Sequence, residues 1–528
     1  MGDRNREAQA PWRPCPCPCP CPCTSIWVLP ILGFDCIISM DSPSSLPPLS
    51  ASSPPQPPQQ QPQPSPRRVL YVASERLAKL ASLLPSNPNR ALAVHALHIA
   101  LGLLRPEYPP LPPSVSTASA PADSTQNSPA QAHADAAANT DAEDAPPPPP
   151  RTTFRLLRPP PATAQDLAAF HTKDYIAALL AERPNSKTDE HTDSGAGTGA
   201  DVEFGLEDDC PPFAGLGAYA LAIAGATLAA ARALARGEAD VAICWDGGRH
   251  HAHKSHASGF CYVNDCVLAL LALKRASTPL PRALPPSPPP RKPRIMYLDL
   301  DLHFGDAVAA AFHTPLASRP AAPPPQILTL SMHHTHPTFF PPSPLAGLPD
   351  PASAAFDPYT LALPLRAGYG ARTVQRVWDG AVERVRAAYK PDVVVLQCGC
   401  DALAGDRCAV GNWSLGGAGA GKGEGGMGWC VARVLAWPGA RVLLLGGGGY
   451  NTPSAARAYA YLTSIARGAP LPLDTPIPEH AGFPLYAPGF TLDVLPGNVR
   501  DENGDAWVEE VCGVFGEVAR VIRERAAA

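Results

Sequence analysis

The sequence lacks the features that mark several common protein classes. Its 42 Lys and Arg residues do not outnumber its 47 Asp and Glu residues, and the formal net charge is −5 at pH 7. This modest negative charge argues against a nucleic-acid-binding chain. The apolar patch at residues 26–40 is interrupted by Pro30, Gly33 and Asp35. It is too short and too broken for a membrane span, and it lacks the cleavage pattern of a signal peptide.

A regular cysteine framework is missing as well. Of the 15 cysteines, five alternate with proline at residues 15–23, a spacing that suits neither a zinc knuckle nor a disulfide framework. Beyond Cys36 the others are scattered, most of them through apolar segments. That distribution is typical of buried free thiols in a reducing compartment.

Proline is the residue in excess. The chain has 68 prolines in 528 residues, about 13% where about 5% is usual. Their clusters predict a disordered, Pro-rich segment at residues 1–66. A catalytic domain is then expected at 67–528, with low-complexity insertions at about 106–150, 185–200, 278–293 and 414–428. A further hypothesis places the true start at Met40, which mass spectrometry of the native N-terminus would test.

The ordered remainder, roughly 370 residues, is enough for one large domain. Apolar strand patterns alternate with helical patterns along it, beginning with strands near Arg68 and Val241. This alternation predicts a single α/β domain with a mostly parallel central sheet flanked by helices. In such sheets the ligand site lies beyond the carboxyl ends of the strands.

The stretch at residues 297–306 carries the strongest chemical signal. It begins as an apolar strand and is interrupted by Asp299, Asp301, His303 and Asp306. Side chains two apart on a strand share a face, so the first three can point the same way. A single such aspartate is more often a helix cap or a turn residue. Four metal-capable groups at the end of a buried strand favour a metal site, because buried carboxylates need a partner.

Three other predicted strands also end in polar groups. His250 and His251 follow a pair of glycines, Asp401 follows the strand that ends at Gln397, and Tyr450 follows four consecutive glycines. The glycine loop at 446–449 fits either a phosphate cradle or a plain linker. It lacks the Lys-Ser/Thr ending of a phosphate-binding loop.

These groups combine into one chemical hypothesis. Asp301, His303 and Asp401 offer one nitrogen and two carboxylates. Three protein ligands with an open position are typical of a catalytic rather than a structural zinc site. Such a metal polarises a carbonyl and acidifies water.

The remaining polar groups supply the other parts of a hydrolase. His250 and His251 are candidates for a general base and a general acid. Asp299 and Asp306 are candidates for carboxylates that orient these histidines. The hydroxyl of Tyr450 is a candidate donor to a developing oxyanion.

With these motifs the sequence resembles a known family, the zinc-dependent histone deacetylases of class I type, which have the arginase/deacetylase fold. The similarity runs, with insertions, from about residue 68 to about residue 467. Each glycine-rich motif alone is weak, whereas the set is highly specific. The matching stretches are residues 247–252, 257–265, 297–306, 339–341, 397–406 and 446–451.

The resemblance implies a role for each catalytic candidate. Zinc would be bound by the three ligands named above. His251 falls on the general base of the family, with Asp306 as its carboxylate partner, and Asp299 is the partner of His250. Tyr450 falls on the tyrosine that polarises the substrate carbonyl. Hydrolysis would release acetate and the free lysine amine.

The resemblance also implies how substrate is held. Gly259, Phe260 and Phe340 fall on the walls of a narrow acetyl-lysine tunnel, where aromatic rings suit the methylene stem of lysine. Asp209 falls on a carboxylate at the tunnel rim that holds the substrate backbone. Zn²⁺ is the implied cofactor, together with a structural K⁺ near Ser331 and the stretch at 299–303.

The implied function is removal of acetyl groups from N6-acetyl-lysine in histones or other nuclear proteins. It carries expectations of chromatin and transcription regulation, of corepressor partners, and of a location in the nucleus, with the cytoplasm as a second location. Neither nucleic acid nor membrane is an expected direct partner. Acidic residues at 201–209 would attract basic histone tails, unless they form a solvated loop. Two alternatives remain open: deacetylation of acetylpolyamines, or a catalytically silent scaffold.

Three positions depart from the family pattern. Phe304 replaces a histidine that commonly follows the metal-ligand histidine. Arg249 replaces an apolar residue and is expected to alter the tunnel rim. Cys408 replaces a larger apolar side chain that often lines the tunnel, so it bears on the choice of inhibitors.

Overall fold

The computed structural model describes residues 67–104, 152–183, 199–276, 292–319, 321–416 and 424–527. The predictions made for residues 1–66, for the insertion at 106–150 and for Met40 lie outside these ranges. So do most of the residues in the expected insertions at 185–200 and 278–293.

Eight parallel strands form one sheet in the order β2-β1-β3-β8-β7-β4-β5-β6. The predicted fold class is therefore confirmed. The strands are β1 (Arg67–Val72), β2 (Thr152–Leu157), β3 (Val241–Cys244), β4 (Ile295–Asp299), β5 (Ile327–His334), β6 (Thr360–Leu365), β7 (Val393–Gln397) and β8 (Arg441–Leu445).

Thirteen α-helices accompany the sheet in the described part of the chain. They are α1 (Glu75–Ala81), α2 (Arg90–Ala100), α3 (Ala164–Leu167), α4 (Lys173–Leu180), α5 (Gly199–Glu203), α6 (Leu216–Ala235), α7 (Asp265–Arg275), α8 (Asp306–Phe312), α9 (Ala371–Val377), α10 (Glu383–Tyr389), α11 (Met427–Leu435), α12 (Thr452–Ala466) and α13 (Asp505–Ala527).

Both faces of the sheet are buried. Along β1, Val69 and Tyr71 pack into one hydrophobic cluster, and Leu70 and Val72 pack into another. This follows from the alternation of side chains along a strand, and it explains why the strands read as continuous apolar runs. Helix α6 has the length and hydropathy of a membrane span, but 67% of its most apolar window is buried inside the fold.

Strand β2 and the segment at residues 373–389 are among the elements that differ from the sequence expectation. Strand β2 was not predicted, because it lies at the sheet edge and its residues are only partly buried, with polar Thr153 and Arg155 among them. The helical pattern of residues 373–389 predicts one continuous helix, but the structure has a π-helical turn within it at Trp378–Val382. The apolar residues of this turn follow the same periodicity as the α-helices around it.

Candidate active site

Four neighbouring strands bring the candidate residues together. Strands β3, β8, β7 and β4 are consecutive in the sheet. The loops after them carry, in that order, the histidine pair, the four-glycine turn, Asp401, and the stretch with Asp301 and His303. Because the strands are parallel, all four loops leave the same edge of the sheet.

The three metal-ligand candidates converge. Nδ1 of His303 lies 2.9 Å from Oδ2 of Asp401 and 3.3 Å from Oδ1 of Asp301. The other oxygen of Asp301 accepts hydrogen bonds from the backbone N–H of Gly448 (2.7 Å) and from the side chain of Gln397 (2.9 Å). The supporting hydrogen bonds leave one nitrogen and two carboxylates facing one point, a donor set that fits zinc.

The electrostatics of this cluster also suit a cation. Burial and the neighbouring Asp301 carboxylate raise the pKa of Asp401 to about 7. Burial lowers the pKa of His303, but its hydrogen bonds to Asp301 and Asp401 outweigh burial and raise it to about 10. Two buried carboxylates this close together repel each other, and a divalent cation between them relieves that repulsion.

The tandem histidines have different environments. Nδ1–H of His250 donates to Asp299 (2.8 Å), and Nδ1–H of His251 donates to Asp306 (2.8 Å). Burial lowers the pKa of His250, but Asp299 and Asp301 together raise it to about 9. Burial and the neighbouring His250 lower the pKa of His251 to about 4. At neutral pH, His251 is therefore the uncharged member of the pair and is suited to accept a proton.

Asp265 holds the loop that carries these histidines through hydrogen bonds to its backbone. Its carboxylate accepts the backbone N–H groups of Gly248 (2.9 Å) and Arg249 (2.7 Å), and the hydroxyl of Thr227 also donates to it. Asp265 was not predicted from the sequence to have a role in the site. An acidic residue in the first turn of α7, after the capping Asn264, looks like an ordinary helix-start residue.

The same loop depends on a neutral histidine. The backbone N–H of Asn264 donates to Nε2 of His171 (3.0 Å), and the Asn264 amide donates to the carbonyl of Ala252 (2.9 Å). Burial lowers the pKa of His171 to about 4. Protonation of Nε2 would remove the acceptor that Asn264 uses.

This arrangement predicts an acid-sensitive fold. Between pH 6.5 and 4 His171 takes up a proton in the unfolded chain but not in the folded one, so stability falls as the pH falls. We expect His171 to lower the free energy of unfolding by roughly 2 kcal/mol between pH 7 and pH 5. Urea unfolding of wild type and His171→Gln at both pH values measures this. An equal pH dependence in the two proteins would contradict it.

Hydrogen bonds from neighbouring side chains hold the backbone of the four-glycine turn in place. Arg90 donates to the carbonyls of Gly447 (3.0 Å) and Gly449 (2.9 Å). The carboxylate of Asp406 accepts the backbone N–H of Tyr450 (2.6 Å). A side chain at Gly448 would collide with the Asp401 carboxylate. The glycines therefore serve close backbone approach to the metal-ligand candidates, rather than a phosphate cradle or a linker.

The tunnel candidates surround this cluster. The ring of Phe340 lies 4.9 Å from that of His251, and the ring of Phe260 lies 5.6 Å from that of Tyr450. Phe260 has a φ of +62°, a left-handed conformation that is costly for an aromatic residue. Gly259 lies so close to His251 and Phe340 that a side chain there would collide with both.

The acidic residues predicted near the tunnel rim already have hydrogen-bond or ion-pair partners within the chain. Asp209 is exposed, and its carboxylate accepts the backbone N–H of Gly259 (2.9 Å), which ties it to the tunnel wall. Asp201 forms a mostly buried ion pair with Arg183 (2.9 Å). The acidic run at 201–209 is therefore not a uniformly solvated loop.

The three departures lie in different places. Arg249 is 5% exposed and donates to the carbonyl of Asp246 (3.3 Å), so the expectation that it alters the rim was wrong. Phe304 is buried beside His333, with ring centroids 4.8 Å apart. Cys408 is half-buried, and its sulfur lies within 4.8 Å of ligand atoms of His303 and Asp401.

Comparison with known proteins is consistent with this geometry. The model of the "Histone deacetylase domain" matches residues 137–466. The chain belongs to the histone deacetylase family. It is 34% identical over 373 residues to Histone deacetylase 8 of Xenopus tropicalis, covering 70% of this chain and 88% of the relative. It is 33% identical over 358 residues to Histone deacetylase RPD3 of Saccharomyces cerevisiae, covering 68% and 72%.

A third relative matches over a longer range. Histone deacetylase 8 of Danio rerio is 31% identical over 457 residues, which cover 86% of this chain and 96% of the relative. The class I resemblance and the predicted enzyme class, a lysine-deacetylating amide hydrolase, are confirmed by these matches. The acetylpolyamine and scaffold alternatives are not favoured.

Proposed function

We propose that this histone deacetylase hydrolyses the N6-acetyl-lysine amide of histones or other nuclear proteins with zinc held by Asp301, His303 and Asp401. The observation that carries the proposal is the convergence of this donor set with a neutral His251 at one edge of the sheet. When bound there, zinc would polarise the acetyl carbonyl and acidify water.

The residues of the chain divide the proton transfers between them. His251 is uncharged at neutral pH and takes a proton from the attacking water, while Asp306 holds its ring in place. A protonated histidine then donates to the departing lysine amine. The hydroxyl of Tyr450 donates to the carbonyl oxygen as negative charge develops there.

The substrate class follows from the walls of the site. Phe340 lies against His251 and close to Gly259, and Phe260 lies against Tyr450. Such aromatic surface suits the apolar stem of an acylated lysine. The exposed carboxylate of Asp209 is available at the rim for backbone N–H groups of a peptide. A peptide offers backbone N–H groups, whereas an acetylpolyamine would offer ammonium groups, so comparing the two substrates tests this role of Asp209.

A structural potassium ion belongs to the proposal as well. The hydroxyl of Ser331 is buried and has no hydrogen-bond partner in the described part of the chain. Ser331 is paired in register with Asp299 on the neighbouring strand. A buried hydroxyl without a partner is costly, and a monovalent cation coordinated by this oxygen would remove that cost.

The cellular setting is proposed from the substrate class. An enzyme that acts on acetylated histones works in the nucleus, with the cytoplasm as a second location, and acts as a regulator of transcription. Corepressor proteins are the expected partners of such an enzyme.

Zinc content and substrate preference test the proposal together. We expect one zinc per chain by elemental analysis, and a kcat/KM for an acetyl-lysine peptide at least about tenfold above that for acetylspermidine. A preference for acetylspermidine would indicate a polyamine deacetylase. A zinc-loaded protein without turnover on either substrate would indicate a scaffold.

A further inference from the structure

The proposed metal site has a fourth ligand-type atom beside it. The ligand atoms of His303, Asp401 and Cys408 lie within 4.8 Å of one another. Asp301 reaches the same histidine, with its Oδ1 3.3 Å from Nδ1. Cys408 is thus grouped with two of the three metal-ligand candidates, and the third, Asp301, adjoins the group through His303. Four is the number of ligands that tetrahedral zinc takes.

The loop that carries this sulfur is held in position. The backbone N–H of Cys408 donates to Oδ1 of Asp406 (3.1 Å), and Oδ2 of the same carboxylate accepts the N–H groups of Tyr450 (2.6 Å) and Asn451 (2.9 Å). Ala409 follows in a left-handed conformation, with a φ of +53°. Because the backbone is held, the place of the sulfur depends on one side-chain torsion.

Cys408 differs from the other cysteines that the structure describes. Cys512 is half-buried like Cys408, but its sulfur contacts the carbonyl of Arg376 (3.8 Å). The remaining seven are buried: Cys210, Cys244, Cys261, Cys266, Cys398, Cys400 and Cys430. Among the described cysteines, only Cys408 belongs to a group of metal-capable side chains.

We propose that Cys408 supplies its sulfur as an additional ligand of the metal held by Asp301, His303 and Asp401, and that this sulfur makes the site selective for thiophilic ions. The inference rests on the metal site proposed above. The thiol proton passes to solvent as the metal–sulfur bond forms. Thiolate is a soft ligand that favours zinc or cadmium over manganese or magnesium, which prefer oxygen.

The sulfur also has a consequence for catalysis. A catalytic zinc site keeps one position open for water or substrate, whereas four protein ligands are typical of a closed structural site. A sulfur that reaches the metal competes for the open position with substrate and with metal-binding inhibitors. The substrate-free enzyme would therefore hold its metal more tightly and more selectively than a three-ligand site does.

Cobalt substitution of the full chain tests this directly. Co²⁺ in a four-coordinate site gives visible d–d absorption, and a thiolate ligand adds a charge-transfer band in the near ultraviolet. We expect both in the wild-type protein. Cys408→Ser and Cys408→Leu should lose the near-ultraviolet band and keep the visible ones. Cys512→Ser, which changes the other half-buried thiol, should keep both.

Metal affinity gives a second readout that does not need turnover. We expect Cys408→Ser to lower Cd²⁺ affinity by at least about tenfold and to change Mn²⁺ affinity much less. Visible bands without the near-ultraviolet band in wild type would overturn the role of Cys408 and leave the metal site standing. Absence of both, together with no measurable binding of Cd²⁺ or Zn²⁺, would overturn the metal site itself.

Discussion

Replacing Tyr450 with Phe is expected to lower kcat by about 10²–10³, which corresponds to about 2.7–4 kcal/mol of lost stabilisation of the transition state. The hydroxyl is the group removed, while the ring stays against Phe260 and under the guanidinium of Arg407, 4.7 Å from the ring centroid. Burial and the nearby carboxylates raise the pKa of Tyr450 well above its usual value. The hydroxyl therefore remains a donor throughout the neutral range.

Steady-state kinetics on an acetyl-lysine peptide measures this effect. KM should change little, because the hydroxyl acts mainly on charge that develops in the transition state. Tyr486→Phe is the matched control: its buried hydroxyl has no hydrogen-bond partner among the described residues, and it lies outside the site. Turnover near the wild-type level in Tyr450→Phe would remove this residue from the mechanism.

Replacing His251 with Gln is expected to lower kcat by about 10²–10⁴, the usual contribution of a general base. Gln retains a hydrogen-bond donor that can reach Asp306, but it cannot accept a proton at neutral pH. Because the pKa of His251 is lowered to about 4, its ring is an uncharged proton acceptor at neutral pH in the wild-type enzyme.

The control for this variant is a histidine outside the site. His480→Gln makes the same chemical change in a residue whose ring lies 5.6 Å from that of Tyr486 and not beside the catalytic candidates. Its activity should stay near that of wild type. Zinc content should be unchanged in both variants. A His251→Gln enzyme that retains zinc and full turnover would refute the assignment of the base.

The parts of the site that could be predicted are those that depend on residue spacing along one strand or on where parallel strands end. The alternating polar residues mark the carboxyl end of β4, although only Asp299 lies on the strand and Asp301 and His303 follow it in the loop. Placing Asp401 beside them required only the rule that parallel strands end at one edge. These four residues could therefore be predicted as site residues from the sequence pattern and from the ligand chemistry of their side chains.

The supporting residues could not be found in this way. Arg90 holds the glycine turn from a position 357 residues away from Gly447, and no periodicity connects the two segments. Asp265 was hidden because a buried acceptor and a helix-start residue look alike in sequence. The prediction for Arg249 was wrong for a related reason. A charged residue next to a site suggests an exposed side chain, but Arg249 is buried.

The direction of the strands separates the connections that lead into β2 and β4 from the loops that form the site. Strand β4 begins at Ile295, shortly after the Pro-rich stretch that follows Arg275, and β2 begins at Thr152, after the stretch that follows Leu104. Both strands begin at the edge of the sheet opposite the one that carries the site, because all the strands are parallel. Lengthening a connection costs little free energy of chain closure. A longer or shorter connection before β2 or β4 is therefore expected to leave the residues at the catalytic edge in place.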